Sequence, residues 1–281
     1  MKTLLSSSLI LVLLFSCKNI ENNNEHKKPN KITNKVVVSS EVTWEKLNPA
    51  RGDKSPQAAT IWGDRKGTVA TGFLAKFVDG FSSPPHIHNV TYRAVVIKGL
   101  IHNDDADAKN MWMPTGSFWT QPAGEAHITS AKGEENIAYV EIDKGPYLVK
   151  PILDEFVNGE RPVNIDASNI VWLNSSVVNC IDATRKAEIS FLWKHSKVKN
   201  LQGLFIKLPK GFNGKIKSDG TTFHAIIIRG ELMYKMPITK EVKTLDQGSY
   251  FTSERESIHE VSCNDEVIVY LRTNGDIEIE E

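Results

Sequence analysis

The sequence has few cysteines, no excess charge of either sign and no sustained helical period, and each shortage narrows what the chain can be. Three cysteines in 281 residues cannot staple a fold of this size. Stability must then come from buried apolar surface, of which a chain this long can hold two moderate cores. Lys plus Arg number 34 and Asp plus Glu also 34. No bulk field argues for nucleic acid or an anionic membrane surface, so partners must be sought at local sites. No apolar run is long enough for a permanent membrane-spanning helix.

What the chain does have begins with a leader. Lys2 gives a positive start, Leu9–Phe15 an apolar core, and Leu14-Phe15-Ser16-Cys17 resembles the lipobox of a bacterial lipoprotein. The expectation is a signal peptide over residues 1–16, lipidation at Cys17, and an exported protein held at a membrane, on the periplasmic side or the outer membrane, by its lipid alone. An ordinary secretory signal with an incidental Cys17 is the blander alternative. Residues 17–35 are rich in Asn, Lys and Glu, too polar to offset their ordering entropy, and read as a flexible tether.

From residue 36 onward, polar turns punctuate short runs rich in β-branched and aromatic residues, which predicts an all-β protein. A repeat runs through it: GFLAKFVDGF at 72–81 returns as GLFIKLPKGF at 203–212, TYRAVVIKG at 91–99 as TFHAIIIRG at 222–230, and GSFWT at 116–120 as GSYFT at 248–252. Trp62 returns as Trp193 and His127 as His259. The same order of strands is written twice. Gly and Pro cluster near 145–162, which predicts halves at 36–150 and 151–281, with strands exchanged or packed edge to edge between them.

In the first half, His86 and His88 lie one residue apart, with Tyr92 in the same alternation, so all three share a strand face. A third histidine, His127, follows a Pro122-x-Gly124 turn. Three neutral imidazoles brought together would suit a divalent metal. The stretches GFSSPPHIHNVTYRAVVIKG at 80–99 and GSFWTQPAGEAH at 116–127 resemble the two sequence motifs of the cupins, in order and spacing. The wider context, with WGD at 62–64, is similar to a bacterial bicupin family related to the ChrR-like cupins. That resemblance implies two tandem jelly-roll barrels, with His86, His88 and His127 as metal ligands.

One departure matters: Tyr92 stands where the cupin pattern has a glutamate. Without that carboxylate, the charge of a divalent cation stays uncompensated, so the site should prefer an anionic ligand. Tyr92 is either an outer-sphere or acid group or an inward aromatic filling the barrel. Trp119 and Gln121 share a face and are candidate pocket residues, though an aromatic there is more often core. The metal expected is Fe²⁺ or Zn²⁺, with Mn²⁺ and Ni²⁺ as alternatives. By resemblance to three-His cupins of the cysteine dioxygenase and diketone-cleaving types, the expected activity is a dioxygenase, or else a zinc-dependent lyase or isomerase, on a small organic anion. A non-catalytic ligand-binding or sensing lipoprotein is the alternative. Cupins of this type often pair, which makes a homodimer an open expectation.

In the second half the repeat puts Lys217, Asp219 and Phe223 where the first has His86, His88 and Tyr92, leaving only His259. A lysine opposes a cation and could pair with Asp219, so this half reads as a degenerate barrel. His102 reads as a turn residue. Cys180 and Cys263 are left open between buried thiols and a bridge.

Overall fold

A computed structural model describes residues 32–183 and 186–280. The leader, Cys17 and most of the expected tether lie outside the described residues. The fold is all-β, built as two jelly-roll halves.

The central strands explain why the sequence shows continuous apolar runs rather than alternation. Along Tyr92–Asp104, residues Tyr92, Ala94 and Val96 face the interior of the first barrel, while Val95 and Ile97 face a second core shared with the other half. Its counterpart Phe223–Arg229 does the same: Phe223, Ala225 and Ile227 fill the second barrel, and Ile226 and Ile228 join the shared core. A strand buried on both faces has no polar side to show. Each fully buried side chain of this size contributes roughly 1.5–3 kcal/mol relative to exposure, so the shared core binds the halves firmly.

The first half is built on a seven-stranded sheet dominated by the pairing of Tyr92–Asp104 with Ile128–Ile142. Register shifts between Val96 and Leu100 bend this long hairpin, and Gly99, at φ +74, sits in that bend. The short strand His86–His88 pairs on one side with Val149–Pro151. On the other it meets His127, with which His86 exchanges both backbone hydrogen bonds at 3.0 Å.

The sheets do not follow the sequence halves. Lys35–Val37 pairs with Tyr250–Ser253 in the second half's sheet, and Val163–Ile165 pairs with Phe118–Gln121 in the first. Residues 33–35, at the end of the expected tether, belong to the fold: Thr33 Oγ1 accepts from the Glu254 amide, and Asn34 Nδ2 donates to the Tyr234 hydroxyl at 2.8 Å. Residues 147–165, placed in sequence around the boundary, still cover the first half.

Gly72 and Gly203 mark the repeat in three dimensions. A Cβ on Gly72 would run into the Trp62 indole nitrogen, and one on Gly203 into that of Trp193. Each indole then donates to a tyrosine hydroxyl, Trp62 to Tyr139 at 3.1 Å and Trp193 to Tyr270 at 2.8 Å. Only glycine allows the ring to lie flat on its neighbouring strand.

Candidate metal centre

Backbone register brings the histidines together. His86 and His88 leave one face of their strand while Ile87, fully buried, leaves the other. Because His127 lies directly opposite His86, its ring comes alongside, with centroids 4.4 Å apart, and the His88 ring is 5.2 Å from that of His127. One nitrogen from each of the three lies within 4.8 Å of the others.

The remaining nitrogens are tied off. His86 Nδ1 is 2.9 Å from the Pro84 carbonyl, His88 Nδ1 3.2 Å from that of Leu148, and His127 Nδ1 3.2 Å from that of Glu125. A carbonyl only accepts, so each Nδ1 carries the hydrogen and each Nε2 keeps its lone pair. This is the outer-shell arrangement that orients metal-ligating histidines.

Electrostatics act in the same direction. Burial lowers the pKa of all three: His86 despite the Pro84 carbonyl, His127 to about 3 with His86 adding to the effect, and His88 well below the usual imidazole value, helped by His127 and His86. Three buried, neutral imidazoles with converging lone pairs fit a divalent cation, and the donor set suits zinc, iron, copper or nickel.

Around the rings lies a layer of hydroxyls and amides. Tyr92 is fully inside the barrel; its hydroxyl donates to Asn103 Oδ1 at 2.9 Å and lies 3.4 Å from His127 Nε2. Asn103 Oδ1 also accepts from Thr129 Oγ1, and Asn103 Nδ2 donates to Gln121 Oε1 at 3.0 Å. Tyr147 stacks on His88 with ring centroids 4.3 Å apart and places its hydroxyl 3.1 Å from His88 Nε2. Burial raises both phenols above the usual tyrosine value, so both are hydroxyls at neutral pH.

A cavity of about 320 Å³ opens onto this cluster, its wall including Trp119, whose Nε1 donates to the Tyr92 hydroxyl at 3.4 Å. Gln121 is a correction to the sequence reading. It shares Trp119's face of the strand, but its amide is spent on Asn103 and the Glu125 carbonyl, and it does not reach the cavity. His102 is a buried strand residue rather than a turn residue, accepting from the Met111 amide away from the cluster.

Sequence reasoning missed Tyr147 and Asn103. Asn103 follows the inward alternation of its strand only after two register shifts, which no periodicity forecasts. Tyr147 comes from the crossover segment after the last barrel strand, placed by the pairing of Val149–Pro151 with His86–His88.

In the second barrel the cluster is replaced by packing. His259 is fully buried, stacked on Phe223 at 4.2 Å, with Nδ1 2.8 Å from the Tyr234 hydroxyl and Nε2 3.2 Å from Ser253 Oγ. Lys217 pairs with Glu278 and Glu280 on the adjacent strand rather than with Asp219, whose carboxylate instead accepts from the Asp276 amide at 2.7 Å. Cys180 and Cys263 pack as thiols against this core.

A family described as a domain of unknown function, DUF4437, matches residues 35–280. The chain belongs to the DUF4437 family. No curated protein matches this DUF4437 chain in sequence. Among solved structures, it is similar to a Nostoc punctiforme protein provisionally described as a dioxygenase, with TM-score 0.67 and 15% identity over 91% of this chain and 89% of that one. It is also similar to protein Ylba from E. coli, with TM-score 0.58 and 14% identity over 91% and 99%. A third is a variant of Bacillus subtilis oxalate decarboxylase, with TM-score 0.54 and 12% identity over 87% and 77%. At these identities the likeness establishes the cupin fold, and the function has to be argued from the site.

Proposed function

We propose that the protein is a metal-dependent enzyme acting on a small organic anion, with His86, His88 and His127 as the ligands of Fe²⁺ or Zn²⁺. The observation that carries this reading is the geometry: each of the three Nδ1 atoms faces a backbone carbonyl, and one nitrogen from each ring lies within 4.8 Å of the others in a buried pocket. Imidazoles that merely filled space would have no reason to face one another unprotonated.

A divalent ion held there supplies Lewis acidity toward an oxygen of the bound anion, and three neutral ligands leave its charge for that anion to balance. The chain's own groups do the rest. Tyr147 presents its hydroxyl beside the histidines, where it orients an oxygen of the ligand and holds a proton next to it, and Tyr92, whose hydrogen goes to Asn103, turns its hydroxyl oxygen toward His127. Asn103 and Thr129 fix the Tyr92 hydroxyl, and Trp119 closes the wall against water. The pattern around Cys17 supports a membrane-held form, with the folded part on the exported side.

The test is metal analysis of protein purified without oxygen, followed by turnover of enolisable carboxylates and diketones with oxygen uptake recorded. Wild type should carry a stoichiometric divalent metal that a His86→Ala plus His127→Ala variant loses. Unchanged metal in that variant overturns the ligand assignment. Oxygen consumption separates an iron dioxygenase from a zinc lyase or isomerase.

A further inference from the structure

We infer that the cavity lined by His86 and His88 is shaped for an anion carrying an apolar body of aromatic size rather than for a two- or three-carbon acid; this deepens the metal-site reading above and rests on it. The first reason is room. At ~30 Å³ for each water, the cavity of about 320 Å³ would hold on the order of ten, far more than a small acid displaces.

The second reason is a continuous apolar wall next to the polar groups. His86, His88, Tyr92, Thr129 and Tyr147 gather on one side. An apolar wall beside them comes from the paired strands Thr71–Phe77 and Ile128–Ile142, where Phe73, in ring contact with Tyr147 at 5.1 Å, faces Val140 and Ala75 faces Ala138. Two alanines opposite each other make a recess in that wall, bounded by Phe73 and Val140 on one side and Phe77 on the other. A flat apolar group fills such a recess, and water there would meet no hydrogen-bonding partner.

The third reason is charge. Among the described residues lining the cavity, Arg51 carries the only fixed charge, and no carboxylate does. Its guanidinium stands 5.1 Å from the centroid of the Phe81 ring at the mouth. The entrance therefore attracts anions, and an aromatic face already forms part of it.

Phenylpyruvate and pyruvate share one head group and differ in the aromatic body, so their comparison isolates the recess. Protein loaded with Co²⁺ would be titrated with each, following the visible cobalt absorption. Phenylpyruvate should bind at least tenfold more tightly than pyruvate. Ala75→Phe, which fills the recess, should remove that advantage while leaving pyruvate affinity within about threefold; Phe77→Ser, at a half-buried position, reads the same wall should Ala75→Phe fail to fold. Arg51→Ala should weaken both acids. Equal affinities, no binding of either acid, or a uniform loss on filling the recess overturns the inference while leaving the metal site standing. Failure of the wild type to bind cobalt overturns the metal-site reading itself.

Discussion

Glu141 and Arg272 stand at equivalent positions of the two repeats and meet across the shared core, Arg272 Nη1 donating to Glu141 Oε1 at 3.2 Å. Both side chains are almost wholly buried, at 1% and 4% exposure. The pair sits in a frame that is otherwise symmetric. Tyr139 and its repeat mate Tyr270 both donate to the Glu141 carboxylate, at 2.9 and 2.7 Å, and Arg93 lies over the Trp193 ring as its mate His224 stacks on Trp62. Arg272 also reaches Asp143 at 2.7 Å; burial alone would raise Asp143, but Arg93 and Arg272 hold it below the usual carboxylate range. One repeat carries the acid and the other the base at the same place, so two like halves cannot exchange roles.

Arg272→Met should therefore cost about 3–5 kcal/mol, because it strands a buried carboxylate. Adding Glu141→Gln should restore part of that loss. Urea unfolding of the three proteins checks both, and an Arg272→Met protein as stable as the parent would show that the pair contributes nothing.

Gly203→Ala should destabilise by roughly 1–3 kcal/mol, since its Cβ displaces Trp193 from a well-packed interface. The expected signature is a change in near-ultraviolet circular dichroism with the far-ultraviolet strand signal retained.

His259 makes stability depend on pH in a definite direction. Burial holds its folded value at about 3, against 6.5 when exposed. Above pH 6.5 neither state holds the proton and there is no penalty; below it the unfolded chain binds more protons, so stability falls as pH drops. At 1.36 kcal/mol per unit, the loss near pH 5 is about 2 kcal/mol from this residue. Denaturation midpoints across that range should fall less steeply for His259→Gln than for wild type, with chelator present in both. Parallel curves would refute the assignment.

Chelation should lower the melting temperature of wild type and leave the His86→Ala plus His127→Ala protein unmoved. At a free metal concentration a hundredfold above Kd, ligation adds about 2.7 kcal/mol. Differential scanning calorimetry with and without chelator reads it, and a wild-type transition indifferent to chelator would count against a bound cation.

Much of the first barrel could be read in the linear order of residues. Alternation placed His86 and His88 on one face of a short strand, and matched runs such as TYRAVVIKG and TFHAIIIRG announced two copies of one all-β unit. Those are local properties, fixed by the two-residue period of a strand. Tyr92, expected on that same strand, instead opens the next one after a break at 89–91 and reaches the rings from another sheet. Tyr147 escaped because its position depends on which strand the crossover pairs with, and Gln121 was misplaced because its amide had better partners behind the wall than in the cavity.

By itself, then, the amino-acid order determined the strand-rich composition, the duplication and the three histidines. Only the tertiary structure decided that Lys35–Val37 completes the far sheet, that Glu141 meets Arg272, and that Tyr147 covers His88. The physical reason is distance along the chain: these contacts join residues tens to hundreds of positions apart, and their energy comes from surfaces that exist only once both sheets have formed.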